Sequence, residues 1–202
     1  SKHTLLSEAR NEAIKKSSGD FIAFLDTDDF WEKDKLELQL PLFKDQKVGV
    51  VYGNLFVINE KINTKKIYLK RKPTGFILDD ILKNYCTLLV TLVIRKSFLD
   101  DYQTAFDKSF HIVGDFDLMI RMSVKYKFDC VTKPIATYRI HEKNESLLNR
   151  SRQIEELKRW NKKMMDFPVI YNNKNFSYIN EMINNFEVKN SILEKDFGKA
   201  LS

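Results

Sequence analysis

The sequence predicts an α/β fold in which helices cover a largely parallel sheet. An amphipathic helix over residues 5–18 is followed by the apolar run 21–25, which has the length of a strand. A helix over residues 114–126 is followed in the same way by strand-like segments at 128–131 and 136–140. Strands without polar alternation are typical of sheets buried on both faces, and a helix before such a strand indicates a parallel arrangement.

The segments between these two units complete the predicted order of elements. Residues 33–46 have a helical pattern that Pro41 is expected to bend. Residues 48–58 and 65–70 have the composition of two strands joined by a turn. Two more elements are predicted before residue 114, a short helix over 76–82 and an apolar strand over 88–94.

Beyond Asn149 the pattern becomes helical, which divides the chain into a domain over 1–148 and a helical C-terminal extension over 149–202. Two apolar stripes at helical spacing define this extension: Ile154, Leu157, Trp160, Met164 and Met165 in the first, and Ile179, Met182, Ile183 and Phe186 in the second. Because basic residues flank the first stripe, a peripheral helix on an anionic membrane is an alternative to a helix packed on its own domain. The packed helix is the favoured interpretation, since amphipathic surface helices are common.

The composition excludes several classes of protein. With 202 residues, 43% hydrophobic and 12% aromatic, the chain can bury a core, and 6 glycines and 4 prolines exclude collagen-like structure. No apolar run approaches the roughly 18 residues of a membrane span. The net charge of +6 comes from intermixed acidic and basic residues, which argues against a nucleic-acid partner. Cys86 and Cys130 lack metal-type spacing and are predicted as small core residues in a reducing cytoplasm.

The strongest local motif is Asp26-Thr27-Asp28-Asp29, directly after the first predicted strand. In open α/β sheets, ligands bind outside the carboxyl ends of the strands. Neighbouring carboxylates repel one another unless a cation is present, and hard oxygen ligands suit Mg²⁺ or Mn²⁺ bound to substrate phosphates. The alternative is a solvated acidic turn in which Asp29 caps the next element. The position after a strand favours the metal–diphosphate site.

A second candidate is Asp115, at the predicted start of a helix, where the helix dipole stabilises a carboxylate. It is either a capping residue or, if a pocket partly desolvates it, a base that accepts a proton from a hydroxyl group. Asp117, two residues on, is expected to be more exposed.

The third candidate motif is Tyr138-Arg139-Ile140-His141, at the end of a predicted strand. Alternation places Arg139 and His141 on one side, where they are suited to a phosphate and to a metal or phosphate oxygen. His3 and His111 are predicted as ordinary surface residues.

Taken in order, these motifs resemble the family-2 glycosyltransferases. The resemblance runs from about Leu6 to Ser146 and includes the following segments: Ala9-Arg10-Asn11, Gly19-Asp20, Phe24-Leu25-Asp26-Thr27-Asp28-Asp29, Lys35-Leu36-Glu37, Gly114-Asp115-Phe116-Asp117, and Tyr138-Arg139-Ile140-His141 with Asn144-Glu145-Ser146. It implies a GT-A, Rossmann-like nucleotide-sugar-binding fold. The family usually has Glu-Asp where this chain has Gly114-Asp115, so only the second acid is present.

The resemblance also implies a role for each candidate residue. It places Asp28, Asp29 and His141 at a Mn²⁺ or Mg²⁺ ion, and Arg10, Asp26 and Arg139 at the nucleotide diphosphate. The division of contacts among the three acids stays open. Asp115 corresponds to the general base that deprotonates the acceptor hydroxyl for attack with inversion at the anomeric carbon.

The expected function is therefore metal-dependent, inverting transfer of a sugar from a nucleotide-sugar donor to a carbohydrate or lipid-linked acceptor, in the synthesis of a cell-surface polysaccharide. The protein is expected in the cytoplasm, at the inner face of the membrane when its acceptor is lipid-linked. The strand–helix–strand that opens family members has no counterpart before Leu5, so the domain is expected to be truncated at its N-terminus and weak or inactive alone. The alternative is a non-catalytic GT-A-like assembly module. No oligomeric state is predicted.

Overall fold

The computed structural model describes residues 6–68 and 72–200, with side chains as far as Leu193. Six strands form one sheet: β1 (Phe21–Ala23), β2 (Phe30–Trp31), β3 (Val48–Asn59), β4 (Thr64–Tyr68), β5 (Val93–Arg95) and β6 (Lys127–Ile140). Their order across the sheet is β1-β5-β3-β6-β2, and β4 pairs with the later half of β3. The predicted α/β class is confirmed.

Nine α-helices lie within the described residues: α1 (Leu6–Lys16), α2 (Lys35–Gln39), α3 (Leu78–Lys83), α4 (Lys96–Leu99), α5 (Gly114–Lys125), α6 (Glu145–Leu148), α7 (Arg150–Lys163), α8 (Pro168–Tyr171) and α9 (Ser177–Ala200). Three 3₁₀ segments accompany them, at Leu40–Lys44, Leu89–Thr91 and Met164–Asp166. Pro41 lies in the first of these, so the predicted helix over 33–46 is divided where its pattern indicated a bend. Leu5, Leu69 and Lys70, which belong to predicted elements, and His3 lie outside the described residues.

The sheet is mixed rather than largely parallel. Its two long strands, β3 and β6, run parallel in the centre, and β1 shares their direction because both β1 and β3 are antiparallel to β5. Strands β2 and β4 are antiparallel to their neighbours. The two segments predicted at 128–131 and 136–140 form the single strand β6, since the pairing with β3 continues through irregular register near Asn54.

The predicted strand over 88–94 is wrong in its first half. Leu89–Thr91 is a 3₁₀ turn, and only Val93–Arg95 joins the sheet. The carbonyl oxygen of Thr91 accepts a hydrogen bond from Gln39 Nε2 at 2.8 Å, and Lys35 Nζ lies 3.4 Å from it. These buried polar groups use a carbonyl that a strand would have paired with its neighbour.

The helices of the C-terminal extension share the main hydrophobic core with the sheet. Trp160 is fully buried, and its ring packs edge-on against Phe116 of α5 with the centroids 4.8 Å apart. The remaining members of the two predicted stripes are buried or half-buried, except for Met165. Met165 is 57% exposed because α7 ends at Lys163 and the following turn is 3₁₀, which changes the angular spacing. Among the described residues, no helix combines the length and the apolar content required to cross a bilayer.

Candidate active site

The acidic run connects strands at opposite edges of the sheet. The chain leaves β1 at Ala23 and enters β2 at Phe30, and β2 pairs with β6 at Thr137 and Ala136. Because β1 and β6 share a direction, the run that follows β1 meets the end of β6. This topology brings the first and third predicted motifs together.

Asp26 forms an ion pair with Arg10, one turn into α1. Arg10 Nη2 lies 3.0 Å and 3.2 Å from the two carboxylate oxygens of Asp26. The neighbouring Asn11 holds the helix in place, since its side-chain amide donates to the carbonyl of Phe106 at 2.7 Å and accepts the N–H of Phe106 at 2.9 Å. The guanidinium of Arg10 also stacks on the ring of Phe106, 5.5 Å from its centroid. The Ala-Arg-Asn motif therefore anchors α1 and aims an arginine at the acidic run.

Asp28 contacts His141, the residue after β6. Asp28 Oδ2 and His141 Nε2 are 2.9 Å apart. The backbone N–H of Lys143 donates to His141 Nδ1 at 3.1 Å, which assigns the ring proton to Nε2 and makes Asp28 its acceptor. Asn144 Oδ1 accepts the backbone N–H of His141 at 2.6 Å and holds this turn closed.

Asp29 is buried between the acidic run and β6. Its Oδ1 accepts the backbone N–H of Arg139 at 3.0 Å. Burial raises the pKa of Asp29 to about 6, the nearby charges of Asp28 and Asp26 add to this, and the N–H of Arg139 opposes it. The crowding of three carboxylates predicted from the sequence is therefore present.

The side chain of Arg139 turns away from the acidic run. Its Nε donates to Glu60 Oε1 at 2.9 Å, and its guanidinium lies 5.5 Å from the ring centroid of Phe30. Arg139 and His141 both line a shallow groove beside the acidic run. The backbone of Arg139 thus belongs to the site, whereas its guanidinium is engaged elsewhere, and its contact with a phosphate stays a prediction.

Asp115 is the second residue of α5 and is mostly shielded from solvent. Burial raises the pKa of its carboxyl group above the ordinary value, while the charge of Arg10 and the backbone N–H groups of Phe116 and Asp115 itself act in the opposite direction. The hydroxyl of Tyr85 lies 3.4 Å from Asp115 Oδ2. A carboxylate in this position can accept a proton from a hydroxyl group that enters the pocket.

Asp117 is buried, contrary to the prediction that it is exposed. Its Oδ2 accepts hydrogen bonds from Arg121 Nε and Nη2 at 2.9 Å and 2.6 Å, and its Oδ1 accepts one from the indole Nε1 of Trp160 at 3.1 Å. The residue lies on the opposite side of α5 from the candidate base and ties this helix to α7. Its two partners, four and 43 positions away, explain the burial of the charge.

A single cavity of about 580 Å³ unites most of the predicted site residues, namely Arg10, Asp26, Asp28, Asp29 and Asp115. One part of its wall is apolar and includes Tyr178, Ile179, Met182 and Phe186 of α9. The C-terminal extension therefore forms part of the pocket. A pocket with one apolar wall and a few convergent charged groups is typical of a ligand-binding site.

Sequence reasoning missed several residues of the site. His111, predicted as an ordinary surface residue, lines the cavity, and its side chain is only 18% exposed because Glu145 and the backbone of Leu6 contact the ring. Tyr85 also lines the cavity, within a segment that matches no motif. Asn144 was part of the third motif without an assigned role, although its spacing of three residues from His141 is the kind that closes a turn.

The donor set fits a divalent cation that is shared with a ligand. Among the described residues, no group of three or more His, Cys, Asp or Glu side chains has the arrangement of a metal site. Mg²⁺, however, commonly takes one or two protein carboxylates and completes its shell with water and phosphate oxygens. Asp28 within a crowded acidic cluster suits such a site, and a cation there would offset the repulsion that contributes to the raised pKa of Asp29.

Comparison with proteins of known sequence places these features in a family. The model of "Glycosyl transferase family 2" matches residues 1–126. The Escherichia coli UDP-Glc:alpha-D-GlcNAc-diphosphoundecaprenol beta-1,3-glucosyltransferase WfgD is 36% identical over 98 residues, which cover 48% of this chain and 38% of WfgD. The Erwinia amylovora amylovoran biosynthesis glycosyltransferase AmsB is 30% identical over 139 residues, or 64% of this chain and 45% of AmsB.

The fold is similar to that of Staphylococcus aureus TarS. The structure of TarS 1–349 in complex with UDP-GlcNAc superposes with a TM-score of 0.55 and 18% identity, and the match covers 79% of this chain and 46% of that TarS chain. The predicted GT-A fold is thereby confirmed. The chain spans less than half the length of each of these relatives. From the match over residues 1–126 and the ordered motifs in its cavity, the chain belongs to glycosyl transferase family 2.

Proposed function

We propose that this chain carries the catalytic groups of a glycosyltransferase that moves a sugar from a nucleotide-diphosphate sugar to a carbohydrate or lipid-linked acceptor. The observation that carries the proposal is the shared cavity, which is lined by Asp115 together with the charged groups of Arg10, Asp26 and Asp28. A base and a diphosphate-binding cluster must face the same space if an acceptor hydroxyl is to attack the donor in line.

The proposed reaction is a single displacement with inversion. The acceptor hydroxyl oxygen forms a bond to the anomeric carbon, while the bond from that carbon to the β-phosphate oxygen breaks. The nucleoside diphosphate leaves with the electron pair, and the hydroxyl proton passes to the carboxylate of Asp115. Burial supports this role because it raises the pKa of Asp115 and makes the carboxylate a better proton acceptor.

On the donor side, Asp28 would hold a Mn²⁺ or Mg²⁺ ion, with Asp26 and Asp29 beside it. When bound, the ion would stabilise the negative charge that develops on the departing diphosphate. His141 would bind the ion through Nε2 only as the other tautomer, with its proton on Nδ1, since Nε2 faces Asp28. Arg10 pairs with Asp26 and is also close enough to Asp115 to influence its pKa, so its guanidinium would act on both the donor side of the site and the base.

The relatives suggest which substrates to test first. Two TarS structures contain UDP and UDP-GlcNAc, respectively, and the name of WfgD describes a UDP-glucose donor and a diphosphoundecaprenol-linked acceptor. AmsB and the Bacillus subtilis protein TuaG are named for amylovoran and teichuronic acid biosynthesis. We propose a UDP-sugar donor and an acceptor from surface-polysaccharide synthesis, at the inner face of the membrane when the acceptor is lipid-linked.

The test uses the full-length protein. Transfer is measured with a panel of UDP-sugars, with and without Mn²⁺, and donor binding is measured separately by calorimetry. We expect Asp115→Asn to lower transfer about 10²- to 10⁴-fold, to a measurable residual rate, while donor binding is retained. We expect Asp28→Asn to weaken metal-dependent donor binding. The exposed Asp100→Asn serves as the matched control and leaves both measurements unchanged.

Two outcomes would contradict the proposal. Full transfer by Asp115→Asn would exclude this carboxylate as the base. A wild-type protein that neither binds nor hydrolyses any nucleotide-sugar with metal present would favour the non-catalytic module instead.

A further inference from the structure

A buried carboxylate from the C-terminal extension holds the loop that precedes the candidate base. Glu156 on α7 has no exposed surface. Its oxygens accept the backbone N–H groups of His111 at 3.0 Å, Ile112 at 2.8 Å and Val113 at 3.2 Å. These three residues lead directly into α5, whose second residue is Asp115.

This contact is a specific ionic arrangement rather than general packing. A buried carboxylate is tolerated only when hydrogen bonds and a counter-charge replace its hydration. Three N–H donors supply the hydrogen bonds, and Arg152 Nε, one helical turn earlier, lies 3.1 Å from Oε1. The negative charge also faces the N-terminal end of α5, where the helix dipole favours an anion. Together, these hydrogen bonds and charges hold the backbone at the start of α5 in one position.

A second contact from the same helix fixes α5 on the other side of Asp115. Trp160, four residues after Glu156 and so on the same face of α7, donates its indole N–H to Asp117. Glu156 therefore holds Val113 and Trp160 holds Asp117, the residues two positions before and two positions after the candidate base. The side chain of Asp115 meets Tyr85 instead, so α7 acts on it through the backbone of α5.

We propose that Glu156 is a positioning residue for sugar transfer, which orients the carboxylate of Asp115 towards the acceptor hydroxyl by fixing the loop His111–Val113. The proposal rests on the proposed function, because it requires Asp115 to act as the base. It assigns to the C-terminal extension an indirect part in catalysis, through the loop before α5, in addition to its part in the core. Glu156 lies outside all three motifs and outside the matched residues 1–126.

The test replaces Glu156 with glutamine, which has nearly the same size but turns one oxygen acceptor into an N–H donor facing other donors. The matched control is Glu155→Gln, the exposed neighbour on α7. We expect Glu156→Gln to lower kcat about 10- to 100-fold, the range that a displacement of catalytic groups by about 1 Å produces, with the donor KM within about twofold. Hydrogen exchange at the amides of His111–Val113 is expected to accelerate in this variant alone, in a protein that still melts cooperatively.

A double-mutant cycle separates positioning from a general loss of stability. Because Glu156 acts through Asp115, Glu156→Gln is expected to cause no further loss of the residual activity when it is added to Asp115→Asn. If the two losses multiply, or if kcat survives in Glu156→Gln, the positioning role is refuted while the proposed function stands. If wild-type protein transfers no sugar, the proposed function fails and the positioning role fails with it.

Discussion

Lys35 offers a test of the structure that does not depend on catalysis. Its side chain is 1% exposed on α2, with Nζ 2.5 Å from Gln39 Oε1 and 3.4 Å from the carbonyl oxygen of Thr91. Burial lowers the pKa of Lys35 to about 7. The folded protein thus binds the Lys35 proton far less tightly than the unfolded chain, where a lysine has a pKa of about 10.4.

This difference predicts how the free energy of unfolding changes with pH. Between about pH 7 and pH 10.4 the unfolded state carries one more proton at Lys35 than the folded state, so stability rises as the pH rises. The slope contributed by one proton is about 1.4 kcal/mol per pH unit, or about 2 kcal/mol between pH 8.0 and 9.5. Below about pH 7 both states are protonated, and the destabilising contribution of Lys35 is constant.

The assay is urea unfolding at several pH values for the wild type, Lys35→Met and the exposed neighbour Lys33→Met. Lys35→Met removes the titrating group. Its free energy of unfolding is therefore expected to exceed that of the wild type by a constant amount up to about pH 7, and this excess is expected to shrink by about 1.4 kcal/mol per pH unit above pH 7. A loss of the hydrogen bond to Gln39 shifts the Lys35→Met curve by a constant and leaves the slope unaffected. If all three proteins give parallel curves, Lys35 keeps its proton in the folded state, and the reasoning from burial is refuted.

Three further predictions concern the site and the core. If Asp115 acts as the base in its ionised form, kcat/KM is expected to fall at acidic pH with a midpoint above the ordinary aspartate pKa of about 3.9, because burial raises the pKa of this carboxyl group. A midpoint at or below that value in a pH–rate profile would contradict the raised pKa. Trp160→Phe removes the hydrogen bond to the buried Asp117, so we expect the free energy of unfolding measured in urea to fall by about 1–3 kcal/mol. An unchanged midpoint would mean that solvent replaces the indole N–H. Gly49→Ala places a Cβ atom 2.8 Å from the side chains of Phe98 and Tyr126, so we expect the free energy of unfolding to fall by about 1–3 kcal/mol. A melting temperature equal to that of the wild type would contradict this contact.

Local patterns predicted the parts of the fold that depend on near neighbours in sequence. The helix over 114–126, the hairpin after Val48 and the acidic run at the end of β1 all follow from periodicity or from strand-end position. The resemblance to family 2 added the grouping of Arg10, the acids and Asp115, and these residues line one cavity in the structure.

Long-range hydrogen bonds decided the parts that the sequence could not predict. The apolar run at 88–94 has strand composition, but the side chains of Lys35 and Gln39, more than 50 positions earlier, bind its backbone and stabilise a 3₁₀ turn. Glu156 is one of two adjacent acidic residues in a charged helix, and its contact with the loop at His111 distinguishes it from the exposed Glu155. Periodicity contains no information about such partners.

The distance in sequence between Glu156 and the loop that it holds has a consequence for the newborn protein. Synthesis proceeds from the N-terminus, so the candidate base leaves the ribosome well before Glu156, which lies 43 positions after Val113. Until α7 emerges and docks, the loop amides have no carboxylate to bind and the ring of Phe116 has no indole to cover it. The groups that would bind a donor are therefore made first. Under the proposed role of Glu156, the geometry of the base would be completed only after α7 has been made and has docked.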